Sequence, residues 1–248
     1  MTGRHRVRAI LTLAYLNGVI PIRTQPLYLL NVIASPLSFL FFVTIASNGV
    51  LLDYAVGGGM IMMMLSVGTS LQTDISHYKQ DLKFQDVIVA SPVEAWVYVA
   101  GMALSELVYS LPGLAVFIVL WAVNGWATLP AALTLVGVLL LVWSFASALG
   151  FTLATYFEDV RETFVFSPLI SLGLSVLPPV YYPIQHLPAA IRPFAYLSPT
   201  TYAADLMHGA VGLGGPTLTG ALIDWAVLIA FTLGLLLLAA VKARWREP

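Results

Sequence analysis

Long runs of apolar residues, separated by short charged segments, dominate the pattern of this sequence. Asp, Glu, Lys and Arg are absent from five intervals, at residues 24–52, 54–73, 107–157, 163–191 and 225–241. A helix needs about 20 residues to cross the roughly 30 Å hydrocarbon core of a bilayer. Four of the intervals therefore suit one span each, whereas the longest is long enough for two.

A turn signal divides the longest interval, because Asn124 and Gly125 are followed closely by Pro130. The pattern then predicts six transmembrane helices, at residues 27–47, 54–73, 96–122, 129–155, 163–180 and 221–241. We therefore expect an all-α integral membrane protein with one transmembrane domain over residues 1–248.

Composition agrees with a chain that faces lipid. Hydrophobic residues make up 59% of the sequence and charged residues only 9%, whereas soluble domains are about a quarter charged. The net charge of −1 argues against a basic nucleic-acid-binding surface. Cysteine is absent, which removes disulfides, thiolate catalysis and cysteine-based metal sites from consideration.

Charge asymmetry orients the predicted spans. Six spans place both termini on one side, and the external segments then hold a single basic residue, Arg192. The segments on the side of the termini hold Arg4, Arg6, Arg8, Arg23, Lys79, Lys83, Arg161, Lys242, Arg244 and Arg246. Basic residues concentrate in cytoplasmic segments, so both termini are predicted to be cytoplasmic.

The N-terminal segment, residues 1–25, combines arginines with a short apolar run. The run from Ile10 to Ile20 reaches only about 16 Å as a helix, and Pro21 and Arg23 interrupt it. We interpret the segment as an interfacial helix on the cytoplasmic leaflet. A retained signal anchor is the alternative.

The segment at residues 74–95, between predicted spans two and three, is the longest charged stretch. Tyr78, Leu82, Gln85 and Val89 share one helical stripe, with charged side chains on another. This periodicity suits a helix that docks on a cytoplasmic partner, and it suits an ordinary solvated loop as well.

A proline-rich region, residues 181–218, precedes the last predicted span. It is too apolar for an exposed loop, and its prolines permit only short helices. We expect short re-entrant or interfacial helices on the outer side, or else a structured external cap without a role in transport. Asp205 is the one acid in the region, and Arg192 is its expected partner.

Few residues in the spans are candidates for a translocation path. Glu106 lies inside the third predicted span, where a carboxyl group is costly and a functional role is the default hypothesis; a position near the inner headgroups is the alternative. Met60 and Met64 add adaptable apolar surface to span two, although ordinary helix packing explains them equally well. Tyr181 and Tyr182, at an outer boundary, complete the candidate path.

Enzymatic motifs are missing. A P-loop requires Gly-Lys, but the three lysines follow Tyr, Leu and Val. The four histidines lack the spacing of a metal site, and the match of Gly173-Leu174-Ser175 to an intramembrane serine protease is weak because Val176 follows. We therefore expect no enzyme, no cofactor and no metal on this chain.

The order of the predicted parts resembles the permeases of the ABC-2 family of ATP-binding-cassette transporters. Residues 178–188, PPVYYPIQHLP, look like the family's apolar–Pro–x–x–x–Leu–Pro pattern. Residues 191–202, IRPFAYLSPTTY, are similar to its aromatic–Leu–Asn–Pro–x–Thr–Tyr pattern, with Ser198 where Asn is common. The run Ala90-Ser91-Pro92-Val93 is also family-like.

This resemblance implies a half-transporter in the plasma membrane of a prokaryote. A second permease chain, identical or paralogous, would pair with it, and a separate cytoplasmic ATPase would bind ATP and Mg²⁺. The cargo would be a drug, a lipid, or a glycolipid or polysaccharide, with the drug-resistance and lipo-oligosaccharide branches most similar. The loop would carry a coupling helix at Lys79, Leu82, Lys83, Phe84, Gln85 and Asp86.

Two other hypotheses stay open from the sequence. An ATP-independent secondary transporter or channel-like protein would use Glu106 and Asp205 for ion coupling. A membrane scaffold without transport is the second.

Overall fold

The described part of the chain is helical throughout. The computed structural model describes residues 3–24, 27–80, 93–157, 159–175 and 178–242. The long helices are α3 (Leu27–Ala46), α4 (Leu52–Gln80), α5 (Ala95–Val123), α6 (Leu129–Tyr156), α7 (Val160–Ser175) and α10 (Leu218–Lys242). The all-α prediction is confirmed over these residues.

The remaining elements are short. The N-terminal segment comprises α1 (Gly3–Ala14), a π-helical turn (Tyr15–Val19) and α2 (Ile20–Thr24). The proline-rich region comprises a 3₁₀ turn (Ile184–His186), α8 (Arg192–Ala195) and α9 (Pro199–Ala210). Short helices were predicted in this region, but their re-entrant placement in a membrane stays a prediction.

The helix boundaries follow the local chemistry of the sequence. Asn124 ends α5, and Thr128 caps α6 by accepting a hydrogen bond from the backbone N–H of Ala131. Pro130 lies in the first turn of α6, where proline is tolerated because its missing N–H has no helical partner. The predicted division of the longest apolar interval is therefore correct.

Within the part of the chain that the structure describes, four helices are long and apolar enough to cross a membrane, over Leu52–Lys79, Ala95–Val123, Leu129–Tyr156 and Leu218–Val241. The helices α3 and α7 occupy the places of the other two predicted spans. With 16 residues, α7 is about 24 Å long, shorter than the hydrocarbon core. Multiple spans are thus established, whereas the count of six stays a prediction.

Helix α4 lies at the centre of the bundle. It contacts α3, α5, α7 and α9, and most extensively α6. The main hydrophobic core surrounds it and includes Met60, Met64, Phe117, Val138 and Met207. In contrast, α3 and α10 expose large apolar side chains such as Phe41, Phe42, Leu237 and Val241. This distribution suits a bundle whose outer surface faces lipid.

The crossing of α4 and α6 is unusually close. A Cβ atom placed on Gly150 would lie 2.0 Å from the carbonyl oxygen of Gly68, and one on Gly68 would lie 2.3 Å from that of Ala146. Real Cβ atoms do not approach other heavy atoms within 3.0 Å. Small residues therefore allow direct backbone contact between the two helices, as is common in membrane bundles.

Candidate functional site

The last turns of α4 are polar and line a cavity of about 550 Å³. The π-helical turn, α5 and α7 supply most of its other lining residues, and α2 contributes Pro21. Its lining residues are Asn17, Pro21, Thr69, Ser70, Thr73, Asp74, Tyr78, Glu106, Tyr109, Thr163, Phe164, Ser167 and Pro168. We refer to this space as the polar cavity. Residues of the N-terminal segment and of three long helices therefore meet around this cavity.

Two carboxyl groups meet in the polar cavity. Asp74 of α4 and Glu106 of α5 are hydrogen bonded to each other through their side chains, and Glu106 is only 6% exposed. A hydrogen bond between two carboxyl groups needs a proton on one of them, so the pair shares one proton. Among the described residues that line the cavity there is no lysine or arginine, so these residues give it one negative charge.

The π-helical turn positions a third polar side chain. The hydroxyl of Tyr78 donates a hydrogen bond to Oδ1 of Asn17 at 3.0 Å, and the Asn17 amide lies 3.5 Å from the sulfur of Met102. The next residue, Gly18, is packed so closely on α5 that an added Cβ would lie 2.7 Å from the carbonyl oxygen of Ser105. Such π turns often occur at functional sites.

Helix α7 contributes hydroxyl groups. Thr163, which is fully buried, donates a hydrogen bond to the hydroxyl of Ser76 on α4 at 3.2 Å. Ser167, one turn further along, is 6% exposed, and its Oγ has no hydrogen-bond partner. This hydrogen bond joins α7 to α4, and Ser167 offers a second hydroxyl group of α7 to the cavity.

The end of the charged segment is tied to the N-terminal helix. Arg6 of α1 donates a hydrogen bond to Glu94 at 2.5 Å, and its guanidinium lies 5.7 Å from the centre of the Trp96 ring. Trp96 Nε1 also donates to Glu94. The Arg6 guanidinium, and then the Trp96 N–H, lower the pKa of Glu94 below its usual value. The contact is therefore fully formed above the ordinary pKa of glutamate and is lost as the pH falls through the lowered value.

Replacement of Arg6 by alanine is expected to loosen α1 from α5. The chain has no native cysteine, so a single cysteine at Leu13, which packs against Gly101 of α5, reports on the contact through its maleimide labelling rate. The rate should rise about two- to fivefold, as expected for a partly exposed ion pair. Arg4→Ala is the matched control, because Arg4 is exposed on the same helix; equal rates in both variants would contradict the assignment.

The predicted path residues do not form one cluster. Met60 and Met64 are 0% and 2% exposed in the hydrophobic core, and Tyr181 covers Gly58 and contacts the Phe39 ring, with 4.2 Å between ring centres. Tyr182 is half-buried. Glu106, in contrast, lies in the polar cavity. A role for all five in one path stays a prediction.

The predicted partnership of Asp205 with Arg192 is wrong. Arg192 donates instead to the backbone carbonyls of Leu187 and Gln185, because these acceptors lie in its own loop. Asp205 lies 3.8 Å from Nδ1 of His208, whose ring contacts Tyr54. Burial, and then Asp224, raise the pKa of Asp205 to about 6, whereas burial lowers the pKa of His208 to about 4. His208 is thus neutral at pH 7, and the contact is not an ion pair there.

The predicted coupling residues are only partly described. Lys79 lies in the last turn of α4, and Leu82, Lys83, Phe84, Gln85 and Asp86 lie outside the described residues. The segment predicted as a loop from residue 74 is helical as far as Gln80. This extension is what places Asp74 and Tyr78 on the wall of the polar cavity.

Sequence reasoning found Glu106 but missed its partner Asp74 and the lining residues Asn17 and Thr163. Asp74 and Tyr78 are four residues apart, which places them on one face of a helix. This spacing would have pointed to Asp74 if the predicted second span had been extended beyond residue 73.

Comparison with known proteins gives one match. The sequence model of a family described as the ABC-2 type transporter matches residues 17–211, which is more than three quarters of the chain. The match covers every long helix except α10, and it includes all the lining residues of the polar cavity. No curated protein matches the chain.

Proposed function

Because the chain belongs to the ABC-2 type transporter family, and is therefore a multi-pass membrane protein of a transporter, we propose that it is the permease subunit of an ATP-driven exporter. A separate cytoplasmic ATPase would bind ATP and Mg²⁺ and supply the motor. A second permease chain, the same or a paralogue, would complete the complex. The proposed location is the cytoplasmic membrane of a prokaryote, with both termini in the cytoplasm.

The position of the polar cavity relative to the charged segment carries this proposal. Asp74 and Tyr78 lie in the first part of the segment, within two turns of Gln80, the last described residue of α4. At the other end of the segment, Glu94 is bonded to Arg6 of α1, whose helix continues into the π-helical turn that carries Asn17. A displacement of the segment would therefore reach the cavity through both α4 and α1.

The proposed cycle follows from these connections. ATP binding would close the ATPase dimer and push on the coupling helix at residues 79–86. The last turns of α4 would then move against α5 and α7, opening or closing the polar cavity. The exposed Phe164 and Pro168 at its wall would face the second permease chain. Cargo would leave toward the outer side.

Co-purification tests this function. The tagged full chain, extracted gently from its native membrane, should bring down a P-loop ATPase close to one per permease chain, as quantified by mass spectrometry. ATP hydrolysis by the complex should be inhibited by vanadate. Recovery of the chain without any ATPase, together with transport that collapses with the proton gradient, would contradict the proposal and support the ATP-independent alternative.

The positions of Glu106 and Asp205 give less support to the ATP-independent transporter. Asp205 lies beside Tyr54 near the beginning of α4 and Glu106 lies beside Asp74 near its end. Residues 54 and 74 are about 30 Å apart along a helix. Glu106 and Asp205 therefore do not form one ion site.

A further inference from the structure

The polar cavity combines negative charge with aromatic walls. The shared proton leaves one net negative charge on Asp74 and Glu106, and none of the described lining residues is basic. Tyr78, Tyr109 and Phe164 also line the space. Aromatic faces attract cations, most strongly where water is excluded. Both features favour a positively charged occupant over a neutral or anionic one.

The size of the cavity indicates an organic cation. Its volume of about 550 Å³ lies in the usual range of small-molecule sites, about 300–1,000 Å³. A bare metal ion needs far less space and about six to eight oxygen ligands. Among the described residues, no group of three or more His, Cys, Asp and Glu side chains is placed to hold a metal.

An unsatisfied hydroxyl independently points to a ligand. Ser167 Oγ lacks a hydrogen-bond partner although the side chain is 6% exposed, and Ser167 lines the cavity. Leaving a buried polar group without a partner is unfavourable. A polar group carried into the cavity would accept or donate this missing hydrogen bond.

We propose that the polar cavity binds an amphipathic organic cation, whose charge replaces the proton shared by Asp74 and Glu106. The O–H bond of the protonated carboxyl group breaks, and its proton leaves to water. Two carboxylates then face one cation, so the net charge of the cavity is the same before and after binding. The inference rests on the proposed function in one respect, since it takes this cation to be the cargo.

Other titratable groups near the pair come from two helices. On α4 these are His77 and Tyr78, which interact electrostatically with Asp74. On α5 they are Tyr98 and Tyr109; the π-helical turn and α7 contribute only the uncharged Asn17, Thr163 and Ser167. Phenols ordinarily titrate near pH 10, so His77 is the group to remove, and a His77→Gln background isolates the carboxyl pair.

The test uses tetraphenylphosphonium as the probe and tetraphenylborate, an anion of the same shape, as its control. Binding to the full chain in lipid nanodiscs is measured by equilibrium dialysis between pH 5.5 and 8, with empty nanodiscs subtracted. The cation should bind with a Kd that rises about tenfold for each unit of pH decrease, because one proton is released on binding. A pH indicator in weak buffer should register that proton. The anion should not bind.

Isosteric variants separate the two carboxyl groups. Glu106→Gln keeps a donor to Asp74, so the cation should still bind, but without proton release and with a flat pH profile. Asp74→Asn combined with Glu106→Gln should raise the Kd at least about tenfold, and Asp224→Asn, at the far end of the bundle, should leave it unchanged. Equal binding of both probes, or unchanged Kd in the double variant, would overturn the inference. The wild-type pH profile and the comparison of probes need no variant to fold.

The same preparation distinguishes this inference from the proposed function. Co-purification of an ATPase without cation binding would overturn the cation site alone. Proton-linked cation binding without any ATPase would leave the site intact and overturn the exporter.

Discussion

Replacement of Gly150 by leucine is expected to separate α4 from α6 and to destabilise the folded protein strongly. An added Cβ would lie 2.0 Å from the Gly68 carbonyl oxygen and 2.8 Å from its carbonyl carbon. Backbone atoms cannot rotate away as a flexible side chain can, so the helices must move apart. Overpacking a core typically costs about 1–3 kcal/mol and more where the backbone must shift. We expect a loss above about 3 kcal/mol, measured by thermal unfolding of the detergent-solubilised chain.

Gly234 supplies the matched control for this experiment. It lies in α10, and an added Cβ there would meet no atom within 4 Å. Gly234→Leu should leave stability unchanged or raise it by up to about 1 kcal/mol, because leucine favours a helix more than glycine does. A Gly150→Leu protein as stable as the Gly234→Leu protein would show that the close crossing of α4 and α6 does not hold the bundle together.

Helices were the predictable part of this fold because each is set by its own stretch of sequence. The apolar intervals required helices in a membrane, since unpaired backbone groups are costly there. Asn124, Gly125 and Pro130 marked the boundary between α5 and α6, and the structure places that boundary there. The close contact of Gly68 with Gly150 is different in kind, because it depends on which faces of two distant helices meet.

The polar cavity was only half predictable for the same reason. Glu106 stood out because a carboxyl group within a span is rare. Asp74 was read as the start of a loop, since its charge ended an apolar interval. Its partner Glu106, 32 positions further along the sequence, stabilises Asp74 inside the bundle. The sequence pattern does not show that these two residues meet. Similarly, Asp205 and Arg192 are complementary in charge, yet backbone carbonyls close to Arg192 bind it instead.

Helix α4 links these observations to the proposed cycle. One end contacts α9 and the core around Met60, whereas the other carries Asp74 and runs into the charged segment. Its close crossing with α6 resists bending near Gly68, so a push at Gln80 would act mainly on the turns that line the polar cavity. The motor of the proposed exporter would thus act on the cavity with little disturbance of the core.

Alanine substitution of both Phe84 and Asp86 is expected to uncouple the permease from its ATPase. These two residues are the proposed apolar anchor and charged contact of the coupling helix, and interface anchors of this kind dominate binding between proteins. In the purified complex of permease and ATPase, stimulation of ATP hydrolysis by cargo should fall at least about tenfold. The amount of permease in the membrane and its thermal stability should be unchanged.

Removal of the same side-chain types from the predicted outer side supplies the control. Phe194→Ala with Asp53→Ala should keep cargo-stimulated hydrolysis near the wild-type level, because both residues lie on the predicted outer side, opposite the cytoplasmic ATPase. Unchanged stimulation in the Phe84 and Asp86 variant would contradict the assignment of residues 79–86 as the contact with the ATPase. Loss of stimulation in both variants would mean that hydrolysis depends on the fold as a whole. Only a loss confined to the first variant, with the ATPase still bound, locates force transmission at residues 79–86.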